Sequence, residues 1–321
     1  MISRIPALAM PEKEWVSLPD FGPMAPIDRH LTADFDGSDP AQANALALNA
    51  LMDGASSILF WVHRDQDLIA LCEDIDASIA PLHLVGNLDC EHAAQVLGES
   101  AQGLFNADPI EDRARSGTWF TGEWSSELAR IRRAEACLPM AMAAVVTNAC
   151  CASDQGAVGQ LAWGLASLEA MQPSSGRPVG MLLNATKDYF ETIAMTQAAR
   201  LLWTANPLWI VGRAAGPKSS NDAADLIDLG LAAQALALGG CRDLWINPLN
   251  DSSQAAGWAR HQGLVLYYET GLFEQDFPMR GSYLIEEWTM TLADSARAQV
   301  AEWNRRGGLV HLLDQNLDPW I

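Results

Sequence analysis

At 321 residues, 49% of them hydrophobic, the chain can bury a large core; it suits one big α/β domain or two ordinary ones and excludes a solitary small module. Its formal net charge of −20 repels phosphate backbones and anionic lipid, which sets aside nucleic acid and membrane surfaces as partners and disfavours a dedicated polyanion site. No stretch reaches the ~18 uncharged apolar residues needed to span a bilayer. The opening MISRIPALAMPEKEW lacks the unbroken apolar core of a signal peptide, so the expectation is a cytoplasmic protein. Cys72, Cys90, Cys137, Cys150, Cys151 and Cys241 show no CxxC or Cys/His spacing, and are expected to be buried reduced thiols rather than metal ligands.

In chain order, residues 1–40 come first and carry Pro6, Pro11, Pro19, Pro23, Pro26 and Pro40. Each proline removes a backbone donor, so this stretch reads as an extended arm without helix or central strand. Its Trp15, Val16, Leu18 and Phe21 are too apolar to be left in water, so the arm is expected to pack on its own barrel or on another chain.

From residue 41 to 321, short apolar runs alternate with helical periodicity, the pattern of βα units. Strands are predicted at 57–62, 80–85, 143–147, 179–184, 208–212 and 244–247, with weaker candidates at Thr118–Thr121 and Glu274–Phe277. Helices are predicted at 41–53, 65–75, 90–101, 124–136, 155–171, 187–205, 220–239, 253–270 and 290–306. Asp53-Gly54, Gly239-Gly240 and Gly307-Gly308 mark helix ends. The count falls close to the eight strands of a closed (β/α)8 TIM-type barrel, with an open doubly wound sheet as the alternative.

Particular strings then point to a family. YFETIAMTQAARLLW at 189–203 resembles the strand-then-helix segment of the methylmalonyl-CoA mutase family. NDAADLIDLGLAAQALALGGCRDLWINPLND at 221–251, GSYLIEEWT at 281–289 and NRRGG at 304–308 are similar to later segments of that family. ALALNALMDGASSILFWV at 45–62 and LCEDIDASIAPLHL at 71–84 look more like its small, non-catalytic subunit than its catalytic one. The resemblance implies a barrel that, in catalytic subunits, carries acyl-CoA along its axis beneath adenosylcobalamin.

Against that family the sequence lacks what the chemistry needs. A Tyr-His pair that serves the thioester in catalytic subunits is replaced, in VVTNACCASDQGAVGQLAW at 145–163, by the neighbourhood of Cys150, Cys151, Ala152 and Ser153. No histidine lies between His92 and His261, so no small alignment shift restores one. The family's tyrosine-bearing N-terminal segment has no counterpart. The cobalamin motif Asp-x-His-x-x-Gly has only a chance match at Asp28–Ala33, where Ala33 replaces the glycine. No catalytic residue and no cofactor is therefore predicted in this chain, and adenosylcobalamin is implied only for a complex.

Polar residues at strand ends remain: Thr147, Asn148, Asn184, Thr186, Arg213, Asn247, Asn250 and Asp251. Either they converge on a pocket with Arg213 as anion donor, or they cap helices and satisfy loops. His63, His83 and His92 could meet as metal ligands, but their irregular spacing favours ordinary packing and no metal is predicted. Two functions stay open. One is a non-catalytic subunit that pairs with a catalytic mutase chain, or with itself, and fills its barrel axis with large side chains. The other is an active acyl-CoA mutase barrel whose cobalamin domain is a separate chain; an axial tunnel lined by Ser, Thr and Gly would favour it. A repurposed paralogue that senses an acyl-CoA or another small ligand is a third possibility.

Overall fold

The structure is a computed structural model that describes residues 30–86, 88–106, 108–138, 143–146, 156–215, 221–250, 252–272 and 278–320, at 106 and 143–146 the backbone alone. The strands are β1 (His30–Asp36), β2 (Ser57–Trp61), β3 (Leu82–Val85), β4 (Phe105–Asn106), β5 (Ala143–Val146), β6 (Val179–Asn184), β7 (Leu208–Ala214) and β8 (Asp243–Ile246). The helices are α1 (Pro40–Met52), α2 (Leu68–Leu71), α3 (Cys90–Leu97), α4 (Pro109–Ser116), α5 (Trp124–Cys137), α6 (Gly156–Met171), α7 (Tyr189–Leu202), α8 (Asp222–Leu238), α9 (Ser253–Leu264), α10 (Tyr283–Arg305) and α11 (Leu309–Asp314). A π-helical turn, Val265–Glu269, continues α9.

The result is an α/β fold with a curled parallel sheet. Neighbouring strands follow sequence order, and β8 pairs back onto β1 through His30 with Asp243, Leu31 with Leu244 and Thr32 with Trp245. Parallel ladders join β1 to β2, β2 to β3, β3 to β4, β5 to β6, β6 to β7 and β7 to β8. The β4–β5 joint departs from a regular eight-stranded barrel: among the described residues it is one antiparallel pairing, Asn106 with Ala143.

Three sequence expectations are corrected. Residues 30–40 are not arm, because β1 and the start of α1 lie there. The proline count misled at this point: Pro40 occupies the first turn of α1, where a missing N–H costs nothing, and no proline falls inside β1. Thr118–Thr121 is turn rather than strand, and the last long helix begins at Tyr283 rather than 290. Glu274–Phe277 lies outside the described residues.

Helices start where polar caps dictate. Asp39, Asp89, Asp108 and Asp188, with Asn221 and Ser252, accept backbone N–H groups at the openings of α1, α3, α4, α7, α8 and α9. Each such cap contributes ~1 kcal/mol, and a carboxylate also complements the helix dipole. Part of the acidic excess therefore has a structural task.

The pleat sorts side chains to two sides of the sheet. Facing the helices, Ile58, Phe60, Leu82 and Leu84 form one buried cluster with residues of α1 to α3. Val179, Met181, Leu183, Ile210, Leu244 and Ile246 form another with α6 to α10. Alternate residues face the lumen and meet across it: Leu59, Leu104, Leu182, Trp209, Val211 and Trp245 make a buried cluster, with Trp61 and Val85 packed against it. Because this one cluster joins residues of β2, β6, β7 and β8, it spans the lumen, and large side chains occupy that space.

One close approach holds β3 to the segment before β4. Leu82 N–H donates to Gln102 O and Leu84 N–H to Leu104 O, straddling Gly103. Gly103 has φ +123°, and a Cβ there would lie 1.9 Å from the Leu82 carbonyl oxygen. Gly103→Ala must shift backbone and is expected to cost about 3 kcal/mol or more. Urea midpoints measure it, and an unchanged midpoint would show the strands are not held this tightly.

Candidate functional site

The lumen holds two polar levels. At the strands' N-terminal ends, His83 on β3 faces Asp243 on β8, Nε2 to Oδ1 3.3 Å, and both side chains are fully buried. This is ion-pair distance without the alignment of a good hydrogen bond. The Leu104 N–H donates to His83 Nδ1 at 3.2 Å, which leaves the ring proton on Nε2, pointing at the carboxylate. The Trp209 indole N–H donates to the other carboxylate oxygen, and the His83 and Trp209 rings meet edge-on at 5.8 Å. Arg242 stacks on Trp209, 3.6 Å from the ring centroid.

Burial alone would raise the Asp243 carboxyl, but the pull and contact of His83, the field of His30 and the Trp209 N–H outweigh it, and its pKa lies below the ordinary 3.8. That lowering stabilises the fold above the unfolded-state value and is lost as pH falls through the folded pKa.

Nearer the C-terminal mouth, Asp34 on β1 accepts from the Trp245 indole N–H at 2.8 Å and also from Trp61. The two indoles lie 6.1 Å apart. Burial is the dominant influence on Asp34 and raises its carboxyl, against the hydrogen bond from Trp245, the charge of Arg213 and the bond from Trp61. Arg213 stacks on Trp245, 4.5 Å to the centroid, and its Nε donates to Asn247 Oδ1 at 3.3 Å. In register beside Arg213 stands Asn184.

Of the strand-end candidates, the fold therefore brings together Asn184, Arg213 and Asn247. The Asn184 backbone is clamped by Gln160, whose Oε1 accepts from its N–H at 2.7 Å. Thr186 binds around the start of α7, its N–H donating to Thr192 Oγ1 and its hydroxyl to Asp188 O. Asn250 accepts from Ser252 N–H in a turn. These last two do the capping and loop work that Thr and Asn commonly do. Thr147, Asn148 and Asp251 lie outside the described residues, as do Cys150 and Cys151.

At the rim, His63 Nε2 meets Asp36 Oδ1 at 2.7 Å, and this bond, with backbone donation from Ser38, lowers the Asp36 carboxyl. His63, His83 and His92 are not gathered: one pairs at the rim, one lies in the lumen and one sits on α3. Among the described residues no group of three His, Cys, Asp or Glu side chains could hold a metal ion, and no helix is long and apolar enough to cross a membrane. Cys90 and Cys241 are buried; burial pushes the Cys72 thiol up to about 12, but Cys137 is exposed, against expectation.

Sequence reasoning missed Asp34, Trp61, Trp209, Asp243 and Trp245, and weighed His83 only as a metal ligand or a packed residue. A signal existed in HLTADFD, where polar residues alternate with Leu31, Ala33 and Phe35, and in His83 set inside the apolar PLHLV.

His30, the histidine of the Asp28–Ala33 match, begins β1 at the sheet's N-terminal end, and its Nε2 is buried. Among the described residues the lumen holds indoles and leucines.

The buried couple gives a quantitative expectation. Asp243→Ala leaves His83 without its partner and should cost ~3–5 kcal/mol, whereas the joint His83→Leu/Asp243→Leu variant should lose less than the two single variants summed. In denaturation midpoints from about pH 3 to about pH 7, Asp243→Asn should abolish the acid loss described above. Asp34 has the opposite sign: stability falls as pH climbs from 3.8 to its raised folded pKa, and Asp34→Asn should remove that fall. Identical pH profiles for all three proteins would refute these assignments.

Comparison with known proteins places the C-terminal part. Residues 224–318 match the family model described as Methylmalonyl-CoA mutase. A Methylmalonyl-CoA mutase of Rhizobium meliloti (strain 1021) is 27% identical over 149 residues, which covers 40% of this chain and 21% of that protein. The chain thus aligns with about a fifth of its relative's length. Residues 224–318 hold most of α8 together with β8, α9, α10 and α11.

Proposed function

We propose that this chain is a small-subunit-like member of the methylmalonyl-CoA mutase family, a TIM-type barrel that works in the cytoplasm as the non-catalytic partner of a cobalamin-dependent acyl-CoA mutase chain. The observation that carries this proposal is the filled lumen: Leu59, Leu182, Trp209, Val211 and Trp245 are buried against one another on the axis. A barrel that threads a long ligand leaves that space to the ligand; one that does not packs it to interior density. Here the packing is completed by charge-bearing groups that hydrogen-bond to the indoles, so the plug is tied to the strands rather than loosely inserted.

The missing imidazole supports the same view. Catalysis by polarising a thioester carbonyl needs a donor placed on the oxygen. The described mouth offers Arg213, already stacked on Trp245 and bonded to Asn247, with two amide side chains, and no histidine faces it from β5 to β8. What such a chain would supply is a folded surface for the catalytic chain rather than a reaction centre.

The experiment uses purified chain with adenosylcobalamin and candidate acyl-CoAs, alone and with a co-encoded cobalamin-binding mutase chain. The expected outcome is no isomerised product from this barrel alone, no retention on immobilised coenzyme A, and co-elution with the catalytic chain. Turnover in a mixture where this is the sole acyl-CoA-binding barrel would overturn the proposal.

A further inference from the structure

The outer helical layer carries one apolar groove that the barrel does not explain. It lies between α8 and α9 and is walled by Leu226, Ile227, Leu231, Trp258, Val265 and Leu266. Three of its side chains are large, apolar and open to solvent: Ile227 at 64%, Leu231 at 48% and Val265 at 53%. Burying such side chains is worth ~1.5–3 kcal/mol each, so a covering segment would be held. A second crevice, under α9 against β1 and β8, offers no comparable drive, because its Leu31 and Ala259 are already buried.

What could cover the groove is indicated by where the described chain starts. His30 lies in a hollow it shares with Tyr267 and Tyr268 of the π-helical turn. Tyr267 stands two residues beyond Val265, so the described chain starts beside the end of the groove that holds Val265, with 29 residues of sequence before it. From Trp258 to Tyr267 a helix climbs about 14 Å, while the nine residues from Phe21 to His30 can span ~30 Å. Among those 29 residues Trp15, Val16, Leu18 and Phe21 set four large apolar side chains, both aromatic rings among them, within seven positions, and Pro19 within them suits an extended rather than helical segment.

We propose that residues 15–21 of this same chain dock in the α8–α9 groove, Trp15, Val16, Leu18 and Phe21 covering Ile227, Leu231 and Val265. An extended segment suits a groove between two helices, and one already tethered nearby binds without the entropy loss of a separate molecule. The groove then serves as an internal seat rather than as the surface for a partner, and the surface for a catalytic chain lies elsewhere.

The test places a photo-crosslinking phenylalanine derivative at Leu231 in the full chain and maps the adduct by mass spectrometry after irradiation. The expected result is an adduct, within one molecule, to the peptide that holds residues 15–21, lost when Val16→Asp and Leu18→Asp are added. In the same doubly substituted chain without the crosslinker, hydrogen exchange should quicken in 226–234 and 258–266, with α7 and α10 unchanged as the check on folding. A dimeric adduct would assign the groove to a second copy, and adducts elsewhere, or none, would leave it unoccupied by this segment; each overturns the proposal.

Discussion

The contact that the interior depends on is the one made across the lumen by His83, Asp243 and Trp209. Three strands, β3, β7 and β8, supply one group each, and every group is buried. A carboxylate so placed is tolerable only because a ring proton and an indole N–H face it, and the indole is in turn held in one orientation by the bond. Trp209 can then act as the base of the hydrophobic plug. Trp245 repeats the arrangement one level up with Asp34, so the lumen alternates acid-anchored indoles with aliphatic filler. The plug makes the axis a packed core, and its polar anchors make that core specific in register.

The acidic excess looks different once its residues are placed. Asp39, Asp89, Asp108 and Asp188 are spent on helix openings, and Asp34 and Asp243 on indoles. A charge that seems, in bulk, to be a statement about partners is thus partly a set of local structural devices. Arg200 shows the converse use: it donates to the carbonyls of Leu208 and Gly240, tying α7 to the first residue of β7 and to the turn before β8.

What could be read from the chain follows the same physics. β2, β3, β6, β7 and β8 were legible because strands covered on both faces read as apolar runs. β1 was not, because its lumen face is His30, Thr32, Asp34 and Asp36 and prolines crowd the residues around it. β4 is two residues long, below any periodicity, and its place is set by Gly103 and the approach to Leu82. At the mouth, Arg213 and Asn247 were legible as strand-end polar residues, but no rule of spacing says that Trp245 lies beneath one of them. The indole of Trp245 and the carboxylate of Asp34 are 211 positions apart in sequence, and only the pairing of β8 back onto β1 brings them together.

The plugged lumen also bears on what this barrel could become. Removing one indole would leave a hole still roofed or floored by the others, costing ~3–5 kcal/mol while opening no passage. A continuous channel would need Trp61, Trp209 and Trp245 reduced together and their carboxylates given other company. Each single step in that direction lowers stability before any passage opens, so the filled axis works as a ratchet against reopening by single substitutions.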